Sequence, residues 1–364
     1  MKYNRYICLL SLALLAASCE TEITIDLDDK DPVLVINSSI ESDGDVHRIF
    51  VGESQDADYH EIEADRVSVS VNGASVAVTP MKDEYSYYSS EGITTRYRTS
   101  YGFEAAFKAG DVIRIEVDKA GAPSAVAECT VPKVPVIASV DTSRTLKAVD
   151  SEYERLSSDY DFEISPLLRD IKGEDSYYRM SLDVRYDIRA YREDGSYDDM
   201  ESVSRGLTYD ISREPILNGG RSSSSEEDFS LSDLFSVDNI FCLFTDEQFR
   251  DGEYKLRLSV PSYMFLSLPY FQFEDDYVSF DYKASAIVKV YSLSFLRYYY
   301  LRALENMDTW GTETSFLIEP TTLPSNVEGG MGFAAVDAVA TFEIKDVQKG
   351  SFTLVYTDDE LTGE

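Results

Sequence analysis

A mainly β fold follows from three features of the sequence. Between Val33 and Val131, short runs rich in β-branched residues alternate with turn residues, the pattern of an antiparallel sandwich. Asp43-Gly44 and Asn72-Gly73 each stand between two such runs, where Asp-Gly or Asn-Gly favours a tight hairpin turn. One helical period stands out, near the C-terminus, over residues 292–308. Together these predict an immunoglobulin-like or transthyretin-like N-terminal sandwich, followed by a second β-rich domain with one prominent α-helix.

Lys2 and Arg5 precede an apolar run, Ile7–Ala17, that leads through Ala16-Ala17-Ser18 to Cys19. A basic start, an apolar middle and small residues at the end make a secretory signal. The run falls well short of the roughly 20 residues needed to span a bilayer. Because a cysteine follows directly, residues 1–18 resemble a bacterial lipoprotein signal peptide, in which Cys19 is acylated and becomes the mature N-terminus. Ala16 stands where such signals often carry leucine. Buried acyl chains contribute about 0.8 kcal/mol per methylene, so two or more of them on Cys19 suffice for membrane residence. Residues 19–31 carry Glu20, Glu22, Asp26, Asp28, Asp29 and Asp31 against Lys30 alone, a composition that predicts a solvated tether. The same acidic stretch resembles the surface-export signals of Bacteroidetes lipoproteins. Lipid-anchored attachment to the outer membrane is expected, on the cell surface in preference to the periplasmic face.

The 364 residues include 67 acids and 33 bases, a net charge of −34. That balance repels nucleic acid and anionic lipid surfaces, which are held by clustered Lys and Arg. A hydrophobic content of 43%, with 26 Tyr and 18 Phe, is ample for packed cores. Once Cys8 leaves with the signal and Cys19 is acylated, Cys129 and Cys242 remain. Their placement in different predicted domains favours two buried thiols over a disulfide.

Residues 32–132 form the first predicted domain, with strands over 33–36, 47–51, 67–71, 76–78, 85–89, 99–107, 112–117 and 126–131. Pro132 and Pro135 mark its end, because proline cannot donate to a sheet ladder. The second predicted domain, 133–364, takes strands from 136–140, 160–164, 177–191, 241–244, 254–260 and 284–290, with a polar loop over 218–228. In the helix, Leu293, Leu296, Tyr300, Ala303 and Met307 fall at steps of three and four and are expected to make one core-facing stripe. Ser292 is the expected cap and Gly311 the expected end.

Asp56, Asp58, Glu61, Glu63 and Asp65 crowd one loop. Their spacing fits no calcium loop, so a solvated acidic face is expected and no metal. Met264, Phe265, Tyr270 and Phe271 lie in an apolar stretch broken by Pro269. If exposed they would be partner or ligand contacts; burial is the favoured expectation. His47 and His60 are the only histidines, and no G-x-S-x-G, H-E-x-x-H, C-x-x-C or G-x-x-x-x-G-K-[ST] string occurs, which removes the usual parts of serine, zinc and nucleotide hydrolases. A thiol–imidazole pair of His47 with Cys129 is disfavoured against an exposed strand histidine and a core thiol. A pair of carboxylates of glycosidase type stays open.

The N-terminal "CETEITIDLDDKDPVLVINSSI" and the later "FLIEPTTLPSNVEGGMGFAAV" together resemble the Bacteroidetes lipoprotein family known as domain of unknown function 4249. The matching features are Cys19 with its acidic segment, the strand Leu34-Val35-Ile36-Asn37-Ser38, the helical Tyr298-Tyr299-Tyr300, Glu319-Pro320, and the run Asn326, Gly329, Gly330, Gly332 and Phe333. The resemblance implies an outer-membrane lipoprotein commonly encoded beside a TonB-dependent receptor, with no established activity and no catalytic residues to carry across. Read physically, the three glycines serve positive φ or close backbone approach, and Glu319 and Asn326 satisfy loop amides in preference to binding ligand. A phosphate-cradling loop is disfavoured because a strand, not a helix, follows. The expected function is non-catalytic binding, without cofactor, as accessory to a TonB-dependent transporter, by solute capture or channel capping. A surface adhesin or assembly subunit, and a carboxylate-based hydrolase, are the alternatives.

Overall fold

The computed structural model describes residues 32–55, 58–89, 92–146, 160–200, 202–211, 214–218, 239–265, 276–308 and 323–353. Cys19 and the acidic tether, Tyr270, Phe271, Gly311, Glu319 and Pro320 lie outside the described residues. No described helix is long and apolar enough to cross a membrane.

In chain order the first strands are β1 (Val33–Glu41), β2 (His47–Gln55), β3 (Asp58–Glu61), β4 (Arg66–Val71), β5 (Ala74–Val76), β6 (Val78–Ser89), β7 (Gly92–Phe103), β8 (Val112–Asp118) and β9 (Ala125–Thr130). They are followed by β10 (Val136–Leu146), β11 (Tyr160–Arg169), β12 (Tyr177–Arg192), β13 (Tyr197–Asp199), β14 (Val203–Gly206), β15 (Leu243–Thr245), β16 (Glu253–Lys255), β17 (Leu258–Pro261) and β18 (Tyr277–Leu293). Helix α1 (Phe295–Asp308), β19 (Val327–Glu328) and β20 (Met331–Thr353) complete the described elements.

The expected β class holds, and local chemistry explains it. In the β4–β5 hairpin, Asn72 and Gly73 have φ of 51° and 79°, the two positive values that a type I′ turn requires and that Asn-Gly tolerates best. Strand β8 buries Ile113, Ile115 and Val117 and turns Arg114 and Glu116 outward, the period-2 alternation of a sheet with one wet face. Strand β12 does the same over sixteen residues, burying every second side chain from Tyr178 to Ala190.

Three sheets are present among the described residues. The largest runs β13-β12-β18-β20-β1-β2-β7-β6; β19-β9-β8-β4-β5 and β10-β11-β16 are the others, with β17 also on β11. The second of these sheets covers one end of the large sheet, giving a sandwich core of Leu34, Ile36, Ile49, Tyr101 and Phe103 against Val69, Ile113, Ile115 and Val117. The third covers the other end, where Phe162, Ile164 and Leu168 meet Met180, Leu182, Val184 and Val288.

The boundary expected at residue 132 does not separate two units. Strand β20 pairs parallel to β1 from Met331 to Asp337, then antiparallel to β18 from Ala338 onward. Val327, Ala334 and Val336 belong to the first core, and Val347 to the second. The C-terminal strand is therefore structural to both, and β1 is its neighbour in the middle of the large sheet. Prolines at 132 and 135 mark a local break, but a strand pair spanning about 300 residues leaves no local signature.

The helix starts later than its sequence period suggests. Ser292 and Leu293 finish β18, paired with Tyr178 and Tyr177. Ser294 is the cap instead, its Oγ accepting a bond from the Arg297 N–H at 3.2 Å. The expected apolar stripe is also rotated. Leu296 and Met307 are exposed, whereas Arg297, Leu301, Ala303 and Glu305 are buried. Glu305 repays its desolvation by accepting from the Phe241 N–H and from Arg302, both at 2.9 Å.

Candidate functional site

The glycine run joins the two ends of the described chain. Gly332 sits at φ +101° beside Ile36, where a β-carbon would lie 2.9 Å from the Ile36 carbonyl carbon and closer still to its oxygen. On Gly330 a β-carbon would fall 2.6 Å from the Leu34 carbonyl oxygen, and on Gly329, at φ +71°, it would collide with the Ser124 carbonyl oxygen. Asn326 works beside them as a one-residue strand. Its Nδ2 donates to the Ala334 carbonyl at 2.7 Å and to the Glu128 carbonyl at 3.1 Å, while its Oδ1 accepts from the Ala334 N–H at 2.9 Å. These residues serve backbone approach and amide pairing, as the sequence suggested.

Behind the run lies a buried ion pair. Asp337, fully buried, accepts from Arg297 Nε and Nη2, both at 3.3 Å, and Arg297 Nη2 also donates to Ser39 Oγ at 2.6 Å. Burial pushes the Asp337 carboxyl above the usual aspartate range, and the charges of Arg297 and Arg179 pull it back. Arg179 reaches Glu41 at 3.4 Å, and Lys289 reaches Glu41 at 3.7 Å. The network ties β1, β12, β18, β20 and the first turn of α1 together.

In front of this network is a groove of about 520 Å³ on the outer face of β1 and β2, walled by α1. Asn37, Ser39, Arg48 and Phe50 form its floor, and Tyr300 with Phe333 its apolar wall. The Tyr300 and Phe333 rings stack at 4.2 Å with 12° between planes. Asn37 Oδ1 accepts from the Phe333 N–H at 3.3 Å, which fixes the wall to the floor. Arg48 donates to Ser100 Oγ at 3.4 Å, and the Arg98 guanidinium lies 3.9 Å over the Phe50 ring. The three stretches that carry the family resemblance thus converge, through Asn37, Tyr300 and Phe333. Arg48, Phe50 and Arg297 have no sequence signal of their own; Arg297 stands inside the helical period, where a charge ordinarily faces water.

The favoured burial of the apolar stretch holds at its described residues Met264 and Phe265, while the exposed position expected for His47 needs correction. Phe265 is buried, its ring 5.5 Å from Phe162, and Met264 packs half-buried against the same core. Both serve packing, as favoured; among the described residues of this stretch, Tyr263 is exposed. His47 is buried, not exposed, between Phe103 and Phe107, with Nε2 3.1 Å from the Ala105 carbonyl. Cys129 and Cys242 are free thiols packed against different cores. Burial, reinforced by Asp337 and Glu128, pushes the Cys129 thiol up to about 12. Since the thiolate is the nucleophile, native protein at pH 8 is expected to label with iodoacetamide at Cys129 far more slowly than urea-unfolded protein. Equal rates, followed by mass spectrometry, would contradict that burial.

No group of three or more potential metal ligands occurs among the described residues. Four buried carboxylates have donors of their own. Asp170 accepts from the Tyr178 hydroxyl at 3.1 Å and Glu214 from the Tyr254 hydroxyl at 2.7 Å, alongside Glu305 and Asp337 above.

No curated protein matches the chain. Among solved structures, the C-terminal domain of the Streptococcus agalactiae AgI/II polypeptide BspA is similar at 9% identity over 72% of this chain and 95% of its own, with a TM-score of 0.15. Two structures titled BspA_C_WT and BspA_C_mut are similar at 8% identity over 72% of this chain and 94% of theirs, at the same TM-score. Residues 20–343, nearly the whole chain, match the family described as "Domain of unknown function (DUF4249)", and the chain belongs to that family.

Proposed function

We propose that this protein is a lipid-anchored outer-membrane accessory of a TonB-dependent transporter, and that it binds a solute without transforming it. The observation that carries the reading is the convergence of Asn37, Tyr300 and Phe333, from the first strand, the helix and the last strand, on one groove. At about 520 Å³ it falls within the usual range for small-molecule sites, roughly 300–1,000 Å³. Stacked aromatics beside a few polar groups suit recognition, since rings bury large area with little entropy to lose. Its histidine is enclosed by Phe103 and Phe107, so the groove offers binding groups and no described nucleophile with an adjacent base. The acylated Cys19 would hold this body at the membrane through residues 20–32.

The test is expression of the tagged full chain in a bacterial host that processes lipoproteins, with membrane fractionation, mass spectrometry of the N-terminus and detergent co-purification. Acyl chains on Cys19 and recovery of a TonB-dependent barrel are expected, with Cys19→Ala released from the membrane fraction. An unacylated N-terminus, or repeated purification without any barrel, would overturn the proposal.

A further inference from the structure

Strand β1 lies in the middle of the large sheet. It pairs parallel to β20 over seven residue pairs, from Val35 with Met331 to Glu41 with Asp337, and antiparallel to β2 on its other side. Strand β20 then runs on past Asp337 and pairs with β18. Entry at Val33 and exit at Thr353 therefore lie at opposite ends of the two paired strands. Tension between those ends acts along the strands, so the β1–β20 hydrogen bonds are loaded together, in shear. Pulled apart from a single end, the same bonds would open in turn. Parallel pairs are each slightly weaker than antiparallel ones, so the direction of the load sets the resistance here more than the strength of a bond does. Further bonds pin the join. The Ser42 N–H donates to the Asp337 carbonyl and the Val339 N–H to Ser42 Oγ, both at 3.0 Å. The Phe333 N–H donates to Asn37 Oδ1 at 3.3 Å, and Arg297 joins Ser39 to Asp337.

Resting on the lipid-anchor reading above, we infer that β1 and β20 form a mechanical clamp, through which the body carries tension between its membrane tether and the far end of β20. The load crosses from β1 to β20 through their ladder. Residues 42–330 are bypassed, because they form the covalent loop between the two clamped strands. The other strands and α1 are thus shielded until the ladder parts. Forced unfolding is governed by the unfolding rate and not by equilibrium stability, so resistance comes from the barrier at this one ladder.

Single-molecule pulling on the detergent-solubilised full chain tests this with two attachments. One places handles on the N-terminal tether and beyond Thr353; the other places them on the tether and at position 331, through Met331→Cys. Met331 is 51% exposed and opposes Val35 at the entry end of the ladder, so the second attachment opens the same bonds one after another. At one pulling speed, end-to-end loading is expected to need at least about twice the force of the same-end attachment, since the pairs share the load. No lengthening of residues 42–330 should precede the main rupture. Gly332→Ala, strained within the ladder, should lower the end-to-end force. Arg189→Gln breaks a pair with Asp199 at 2.7 Å inside the bypassed loop, and it should leave that force unchanged. Thermal melts show which variants are folded, and the comparison of the two attachments stands without Gly332→Ala. Equal forces for the two attachments, stepwise lengthening before rupture, or a loss in Arg189→Gln as large as that in Gly332→Ala would each overturn the inference. Acylation and barrel recovery are read by mass spectrometry and co-purification, not by force, so the two proposals fail separately.

Discussion

Replacing Gly332 by alanine is expected to cost about 3 kcal/mol or more, combining a strained positive φ with an overpacked contact. Strain arises because L-residues rarely occupy φ +101°. The overpacking arises because the new methyl would press on the Ile36 carbonyl, and backbone in a paired strand cannot swing aside as a side chain can. Gly73→Ala is the matched control. It has a positive φ of 79° but nothing within 4 Å of an added methyl, so about 1–2 kcal/mol is expected there. Urea unfolding measures both, and hydrogen exchange locates the damage: Gly332→Ala should lose protection in β1 and β20, Gly73→Ala only in the β4–β5 hairpin. Equal losses would show that close approach to Ile36 is not what this glycine provides.

The same residue shows where sequence reasoning succeeds. Gly329, Gly330 and Gly332 are legible as backbone positions because glycine has few other uses in such density. Strands β8 and β12 are legible because their apolar residues alternate with period 2, and the β4–β5 turn because Asn-Gly leaves little choice of turn type. All of these are local signals. What escapes is non-local. The two-domain division follows Pro132 and Pro135, while the return of β20 to β1 depends on contacts nearly the full chain apart. The helix start shifts because pairing of Ser292 and Leu293 with β12 outweighs a period-3.6 pattern they also fit. The groove requires Asn37, Arg48, Tyr300 and Phe333 from four elements to meet, and no spacing announces that. Most charged side chains are solvated, so burial of Arg297 becomes intelligible only once Asp337 is seen opposite it.

That pair makes the second large prediction. Asp337→Ala is expected to destabilise by about 3–5 kcal/mol, because it leaves a buried guanidinium without its counter-charge. Arg297 is 8% exposed at its side chain and Asp337 not at all, so water cannot take the carboxylate's place cheaply. The Ser39 hydroxyl, 2.6 Å from Arg297 Nη2, offers a dipole but no charge. Removing both charges is a different perturbation. Arg297→Met with Asp337→Leu replaces the pair by apolar side chains, which for buried pairs is commonly neutral or stabilising, and it should lie within about 1 kcal/mol of the parent. Urea unfolding of the parent, Asp337→Ala, Arg297→Met and the double replacement resolves the comparison. If Asp337→Ala costs no more than the double replacement, desolvation of Arg297 is not the dominant penalty. The expected order also has a consequence for the groove. Arg297 holds the first turn of α1 to β1 and β20, and Tyr300 on the next turn stacks on Phe333. An unpaired Arg297 driven toward solvent would draw that turn off the sheet and open the wall. Asp337→Ala is therefore expected to weaken exchange protection in α1 before the second core is affected, whereas the apolar double replacement keeps the helix seated.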